Sequence, residues 1–212
     1  MLASARKRIA ETLPDAAAVL DVGGWGSPLA RADWVLDILP HESRGLYGYD
    51  DAERAAERFT RDTWVQRDVC ASEPWPFADG MFDFAVCAHT LEDVRDPLRV
   101  CEELVRVARA GYVEVPAPVE ELTFGIHGPW VGWTHHRWIT ERDGDGLVFT
   151  AKPHLLPAPG RHLPEGTCDR LAPEQRVLQL WWHEELPVRE RVIGSAEELD
   201  TWLEGLLAAS RY

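Results

Sequence analysis

A chain of 212 residues is long enough to bury a substantial core and short enough for one domain. Its 36 acidic side chains against 22 Lys and Arg leave a formal charge of −14, a field that repels nucleic acid and anionic membrane, so neither is expected as a partner. The four cysteines show no C-x-x-C pairing, the first residues lack a signal-peptide core and no apolar run approaches the ~20 residues of a membrane span, so a cytoplasmic protein with reduced thiols is expected.

Residues 2–13 read as a short helix ended by Pro14. The apolar run from Ala16 to Leu20 continues through Asp21 and Val22 and breaks at Gly23, Gly24 and Gly26, which predicts a buried strand stopping in a tight turn. Ser27 and Pro28 then predict a helix start, with serine as cap and proline at the first position. Strand, glycine turn and helix N-terminus form a nucleotide-binding layout. The dinucleotide pattern wants a further glycine where Leu29 stands and an acid about 20 residues on, whereas Asp37 ends the very next strand, Trp34–Ile38. A nicotinamide-dependent oxidoreductase is therefore a lesser alternative.

Residues 40–50 are turn-rich, Asp51–Phe59 reads as a charged helix and Trp64–Val69 as a third strand, with Asp68 at its end. The stretch from Pro74 to Pro97 holds a Pro-Trp-Pro-Phe run, an acidic turn (Ala78-Asp79-Gly80), Phe82-Asp83, a buried strand to Ala88, His89, and Leu91-Glu92-Asp93-Val94. Together with the glycine turn and Asp37, this segment resembles the class I S-adenosylmethionine-dependent methyltransferases of the small-molecule type, over roughly residues 15–116. One departure is Asp93, where the family commonly has histidine. Another is the short stretch between Gly26 and Trp34.

The resemblance implies a Rossmann-like, mostly parallel seven-stranded sheet with helices on both faces and an antiparallel C-terminal part. It implies S-adenosylmethionine as cofactor and methyl transfer to an oxygen or nitrogen of a small molecule. Asp21, Gly23, Gly24 and Gly26 would surround the methionine part, Asp37 would take the ribose hydroxyls, and Asp68 with the backbone of Val69 would meet the adenine. His89 would lie near the methyl group. The same fold without transfer activity is the other reading.

Each residue also has a plainer role. Asp68 equally suits a solvated loop carboxylate, and His89 a hydrogen-bonded core residue rather than a base.

Asp96 and Pro97 predict a helix to about Arg109, with Leu98, Cys101, Leu104, Val105 and Ala108 on its apolar face and Glu102 and Arg106 as an exposed pair. Gly111–Val115 reads as the fifth strand. Residues 117–140 form an insert with Trp130, Trp133, His135, His136, Arg137 and Trp138, expected to recognise the acceptor, with His135, His136 and Arg137 as candidate catalytic groups. Adjacent side chains usually diverge, so at most two of the four residues 135–138 should share a pocket. The spacing of His127, His135 and His136 matches no closed zinc pattern, so no metal is expected. Arg142–Gly146 reads as a turn before a strand at Leu147–Ala151, residues 153–174 as surface loop, and Val177–Trp182 and Pro187–Ile193 as antiparallel strands. Ser195 opens a last helix to about Leu207 through a capping box. No repeat or linker appears, so a single domain over 1–212 is expected, with residues 15–116 as its cofactor-binding half.

Overall fold

The computed structural model describes residues 1–47 and 51–210; the part of the expected turn at 48–50 lies outside them. Five α-helices and nine strands follow in chain order among the described residues: α1 (Ala3–Thr12), β1 (Val19–Val22), β2 (Trp34–Asp37), α2 (Asp51–Ala55), β3 (Trp64–Gln66), β4 (Phe84–Ala88), α3 (Pro97–Val107), β5 (Ala110–Pro116), α4 (Pro118–Leu122), β6 (Trp138–Asp143), β7 (Gly146–Ala151), β8 (Val177–His183), β9 (Val188–Arg191) and α5 (Ala196–Ala209). One sheet has six strands in the order β3-β2-β1-β4-β5-β8, not the seven expected, and a second has the order β6-β7-β9. Strands β1 to β5 run parallel, with Asp21 opposite Val35 on β2 and Val86 on β4. The order reverses between β1 and β4, the switch point at which open α/β sheets bind ligands beyond the carboxyl ends of their strands.

Contacts divide the chain into two compact units, residues 1–114 with 179–186, and 115–178 with 187–212. The first packs Ile9, Val19, Val35, Phe84, Val86 and Tyr112 into its core. The second packs Val119, Leu122, Ile139, Leu163, Cys168, Leu203 and Leu206. The 153–174 segment is thus not merely surface loop, because Leu156, Leu163 and Cys168 enter that core. All four cysteines are unbridged and buried.

Several expected elements differ. No α-helix begins at Ser27–Pro28; Gly24–Gly26 forms a single 3₁₀ turn and residues 27–33 run irregularly to β2. The Ser27 hydroxyl and carbonyl accept from Arg6 of α1 at 2.7 Å, and the Pro28 carbonyl from the same guanidinium at 2.9 Å. The groups expected to start a helix are spent on holding a short crossover against α1. In α3 the buried face is Val100, Cys101, Leu104 and Val107, while Leu98 and Val105 are half-buried, so the apolar stripe is rotated from the expected one. Arg106 pairs with Glu103 at 2.7 Å rather than with Glu102. Glu103 is drawn inward by the Trp75 N–H, which donates to it at 2.7 Å. Arg142 and Asp143 belong to β6, and the turn follows them. The strands β8 and β9 do not pair with each other; β8 joins the six-stranded sheet and β9 runs parallel to β7, while β6 and β7 form the antiparallel pair. At α5 the Ser195 hydroxyl accepts from the Glu198 N–H, and the Glu198 carboxylate reaches Gly194 instead of closing the box on Ser195.

Removing Glu103 leaves the buried Trp75 N–H without its acceptor and Arg106 without its main partner. Glu103→Ala should therefore cost roughly 2–4 kcal/mol, read by urea denaturation; a loss below about 0.5 kcal/mol would show that the pairing is dispensable.

Candidate functional site

The parallel register brings Asp21, Gly23, Gly24, Asp37, Asp68 and His89 to the carboxyl ends of β1, β2, β3 and β4. Gly23 sits in the left-handed region at φ 76°, and a Cβ there would come within 2.0 Å of the Thr90 hydroxyl. Its N–H donates to the Leu36 carbonyl at 2.9 Å, tying the turn to β2. A Cβ on Gly24 would strike the Asp21 carboxylate at 2.3 Å, and one on Gly26 the Tyr47 ring at 2.7 Å. Packing requires glycine at positions 23 and 24, whereas the exposed Tyr47 ring can swing away from residue 26, so Gly24→Val would disrupt the turn before any ligand were considered.

Asp21 is buried and accepts from the Leu29 N–H at 2.8 Å. Burial pushes its carboxyl up to about 6, against the pull of that hydrogen bond and of Arg6. Asp37, also buried and raised by burial, accepts from Trp25 N–H at 3.0 Å on one oxygen and from Leu39 N–H at 2.8 Å on the other. Each oxygen keeps a second lone pair, so the carboxylate can still accept hydroxyls. The segment 43–47 lies on the glycine turn: Gly45 and Tyr47 donate to the carbonyls of Trp25 and Gly26, and the Trp25 indole donates to Ser43. Asp68 accepts from Arg95 at 2.6 Å and from the Cys70 N–H at 2.9 Å. Burial raises its carboxyl, but Arg95 and the Cys70 N–H together outweigh this and hold it below the usual range. The Val69 carbonyl accepts from the Trp75 indole at 2.9 Å.

His89 ends β4 with φ 53°, a left-handed conformation uncommon for a side-chain-bearing residue. Its Nε2 lies 2.9 Å from Glu114 and its Nδ1 3.4 Å from Glu92. Burial lowers the imidazole pKa, and the hydrogen bond with Glu114 and the nearby charge of Glu92 outweigh it, lifting the ring to about 9. Glu114 is fully buried in β5 and also receives Tyr112 Oη at 2.5 Å and the Leu2 N–H at 3.0 Å. Glu92 is buried too, and neither of its oxygens has a hydrogen bond among the described residues. The sequence reading missed Glu92 and Glu114. A signal existed, because a charged residue inside the apolar run Tyr112–Val115 demands a buried partner.

In the second unit, adjacent Glu120 and Glu121 of α4 are both buried. Glu120 takes a forked pair from Arg176 at 2.7 and 2.8 Å and the Trp133 indole at 3.2 Å. Glu121 takes Lys152 Nζ at 2.6 Å and His136 Nδ1 at 2.5 Å. The rings of His135 and His136 lie 4.6 Å apart, so these two of the four residues 135–138 share a locality. Arg137 is exposed, and its carbonyl accepts from the Lys152 N–H.

The charge of a cationic cofactor such as S-adenosylmethionine suits the strand-end residues on two observations. Asp21 and Asp37 are buried acids that a cation would relieve, and Glu92 is a buried carboxylate lacking hydrogen bonds.

Residues 33–113 match the family described as Methyltransferase domain. That match begins just beyond the glycine turn, where this chain lacks the crossover helix. Over those residues, with the parallel order β3-β2-β1-β4-β5, the chain is similar to that domain and carries a Rossmann-like, mostly parallel sheet. Among curated proteins, the chain is similar to an "Uncharacterized methyltransferase" of Mycobacterium sp. (strain JLS), 30% identical over 141 residues, 64% of this chain and 52% of that one. A second of the same description, from Mycobacteroides abscessus, is 26% identical over 194 residues, 84% of this chain and 73% of that one. The chain thus spans about half the length of the Mycobacterium relative (52%). Among solved structures, a Mesorhizobium loti S-adenosylmethionine dependent methyltransferase is 18% identical, with a TM-score of 0.39 over 55% of this chain and 56% of that one. No helix among the described residues is long and apolar enough to cross a membrane.

Two outcomes test this geometry. Asp37→Ala removes the acceptor of two backbone N–H groups, so stability in a urea titration should fall by roughly 1–3 kcal/mol with no ligand present. For His89 the folded pKa of about 9 lies above the ordinary 6.5, so its contribution is complete below pH 6.5 and lost as pH rises through 9. The melting temperature of the wild type should therefore drop across that window more than that of His89→Asn, whose asparagine suits the left-handed backbone. Parallel curves would show that the ion pair contributes nothing.

Proposed function

We propose that the first unit binds S-adenosylmethionine along the carboxyl ends of β1 to β4 and that the chain transfers a methyl group to an oxygen or nitrogen of a small-molecule acceptor. The observation that carries this reading is the placing of Asp21, Asp37 and the glycine turn at the switch in strand order, in a chain matching a methyltransferase domain. Asp21 and the three glycines are assigned to the methionine part, Asp37 to the ribose hydroxyls, Asp68 with Val69 to the adenine, and His89 to the region of the methyl group. When bound, the cofactor supplies an electrophilic methyl carbon on a cationic sulfonium. The protein's share is then mostly alignment, a source of up to about 7–11 kcal/mol in well-oriented reactions.

His89, held as an imidazolium by Glu114 and Glu92, is unsuited to accept a proton at neutral pH. The Met1 ammonium, 3.4 Å from Glu114, brings the two carboxylates and the imidazolium to a formal charge of zero. Proton acceptance from the acceptor is assigned instead to His135 or His136, and recognition of an anionic or planar acceptor to the forked donor of Arg137.

S-adenosylhomocysteine should raise the melting temperature and NADH should not. Affinity for S-adenosylmethionine, followed by calorimetry, should strengthen as pH rises through about 6, because a cationic ligand favours ionised Asp21. Asp21→Asn should flatten that dependence. Stabilisation by NADH alone would replace this reading with a nicotinamide one.

A further inference from the structure

The insert holds three histidines, and two of them, His135 and His136, are the proton acceptors of the methyl-transfer reading; a metal held on both would displace that role. Trp133 lies at their centre, its ring 5.5 Å from that of His127, 5.8 Å from His135 and 5.8 Å from His136. The rings of His127 and His135 are 5.9 Å apart and those of His135 and His136 4.6 Å. The ligating nitrogens of His135 and His136 lie within 4.8 Å of one another. Two imidazoles on one zinc-like ion, each at ~2.0–2.1 Å, need their nitrogens about 3.4 Å apart.

The surroundings of His136 point the same way. A carboxylate only accepts, so Nδ1 carries the proton in the 2.5 Å contact with Glu121, and Nε2 is the ring's ligand atom in this proposal. A carboxylate holding the far nitrogen of an imidazole is the usual outer support of a metal-ligating histidine, setting both tautomer and ring orientation. Glu121 is itself fixed: Lys152 Nζ donates to its other oxygen at 2.6 Å and to the Trp133 carbonyl at 2.8 Å. This fastens the carboxylate to the turn bearing the histidines. Gly132 makes the closure possible, with φ 60° and a Cβ position 2.5 Å from the Glu121 carbonyl oxygen and 2.8 Å from Lys152 Nζ. His127 Nδ1 is likewise engaged, by the Thr134 hydroxyl at 3.0 Å.

We propose that His135 and His136 form a site for a divalent transition metal of the zinc and cobalt class, in which Glu121 is the positioning residue for His136. Imidazoles suit these ions, and a pair of them leaves coordination positions for water or other oxygen donors. The spacing in sequence concealed the site because it follows no closed zinc pattern; the folded turn around Trp133 supplies the proximity instead. The site is read from the second unit alone and stands whether or not the first unit transfers methyl groups.

The test uses the full chain, without a histidine tag and stripped of metal, titrated with Co²⁺ and then Zn²⁺ under visible absorption and calorimetry. The expected result is one Co²⁺ per chain with the intense visible bands of a low-coordinate site, displaced by Zn²⁺. His135→Gln and His136→Gln should each abolish the bands, and Glu121→Gln should weaken binding by 10–100-fold while keeping them. Arg137→Gln should bind as the wild type does. Melting curves confirm that each variant is folded, and exposed His135 gives a variant independent of the Glu121 cluster. Absence of Co²⁺ bands in the wild type, or wild-type affinity in folded His135→Gln, overturns the proposal.

Discussion

The hydrogen bond from the Leu29 N–H to the buried Asp21 carboxylate is the constraint on which the cofactor-side architecture depends. Parallel neighbours usually need a crossover of a dozen or more residues, commonly helical. Here the path from Gly23 to Asp33 is shorter, so strand-end carboxylates take over the helix's task of satisfying backbone groups. Asp21 holds Leu29, Asp37 holds Trp25 and Leu39, and Asp33 holds the Val19 N–H. The acids assigned to a ligand are thereby also the scaffold of their own turn. Burial keeps them short of ideal solvation, which makes the edge receptive to positive charge.

A second theme is the burial of acids in a chain with a formal charge of −14. Glu103, Glu114, Glu120 and Glu121 all lie inside, each beside a cationic side chain: Arg106, His89, Arg176 and Lys152. Such pairs add little net stability over apolar packing, but losing one partner is costly. They therefore fix which loops meet which elements.

The strands were legible because their apolar runs end at punctuation. Asp21 before glycines, Asp37 before a turn, and the run from Phe84 to Ala88 before His89 all fall where the pattern places them. So do the start of α3 at Pro97, whose Asp96 cap accepts from the Arg99 N–H, and the Ser195 cap of α5. What failed depended on partners distant in sequence. Ser27 and Pro28 carry helix-start chemistry, yet Arg6 from α1 claims them. The face of α3 turned because Glu103 found Trp75, a contact no helical periodicity encodes. Alternation marked β8 and β9 as strands without saying that they enter different sheets. In the candidate site the turn glycines and strand-end acids could be read directly. Glu92, Glu114 and Glu121 could not, since their meaning lies in which histidine each one faces.

The buried cysteines make the protein its own reporter. Cys70, Cys87 and Cys101 belong to the first unit and Cys168 to the second, and none is bridged. Burial pushes the Cys87 and Cys101 thiols far above their ordinary range, so neither reacts while its surroundings stay closed. Alkylation at each sulfur therefore clocks the opening of the packing around it. Peptide mapping of the modified chain separates the breathing of the first unit from that of the second without any introduced label.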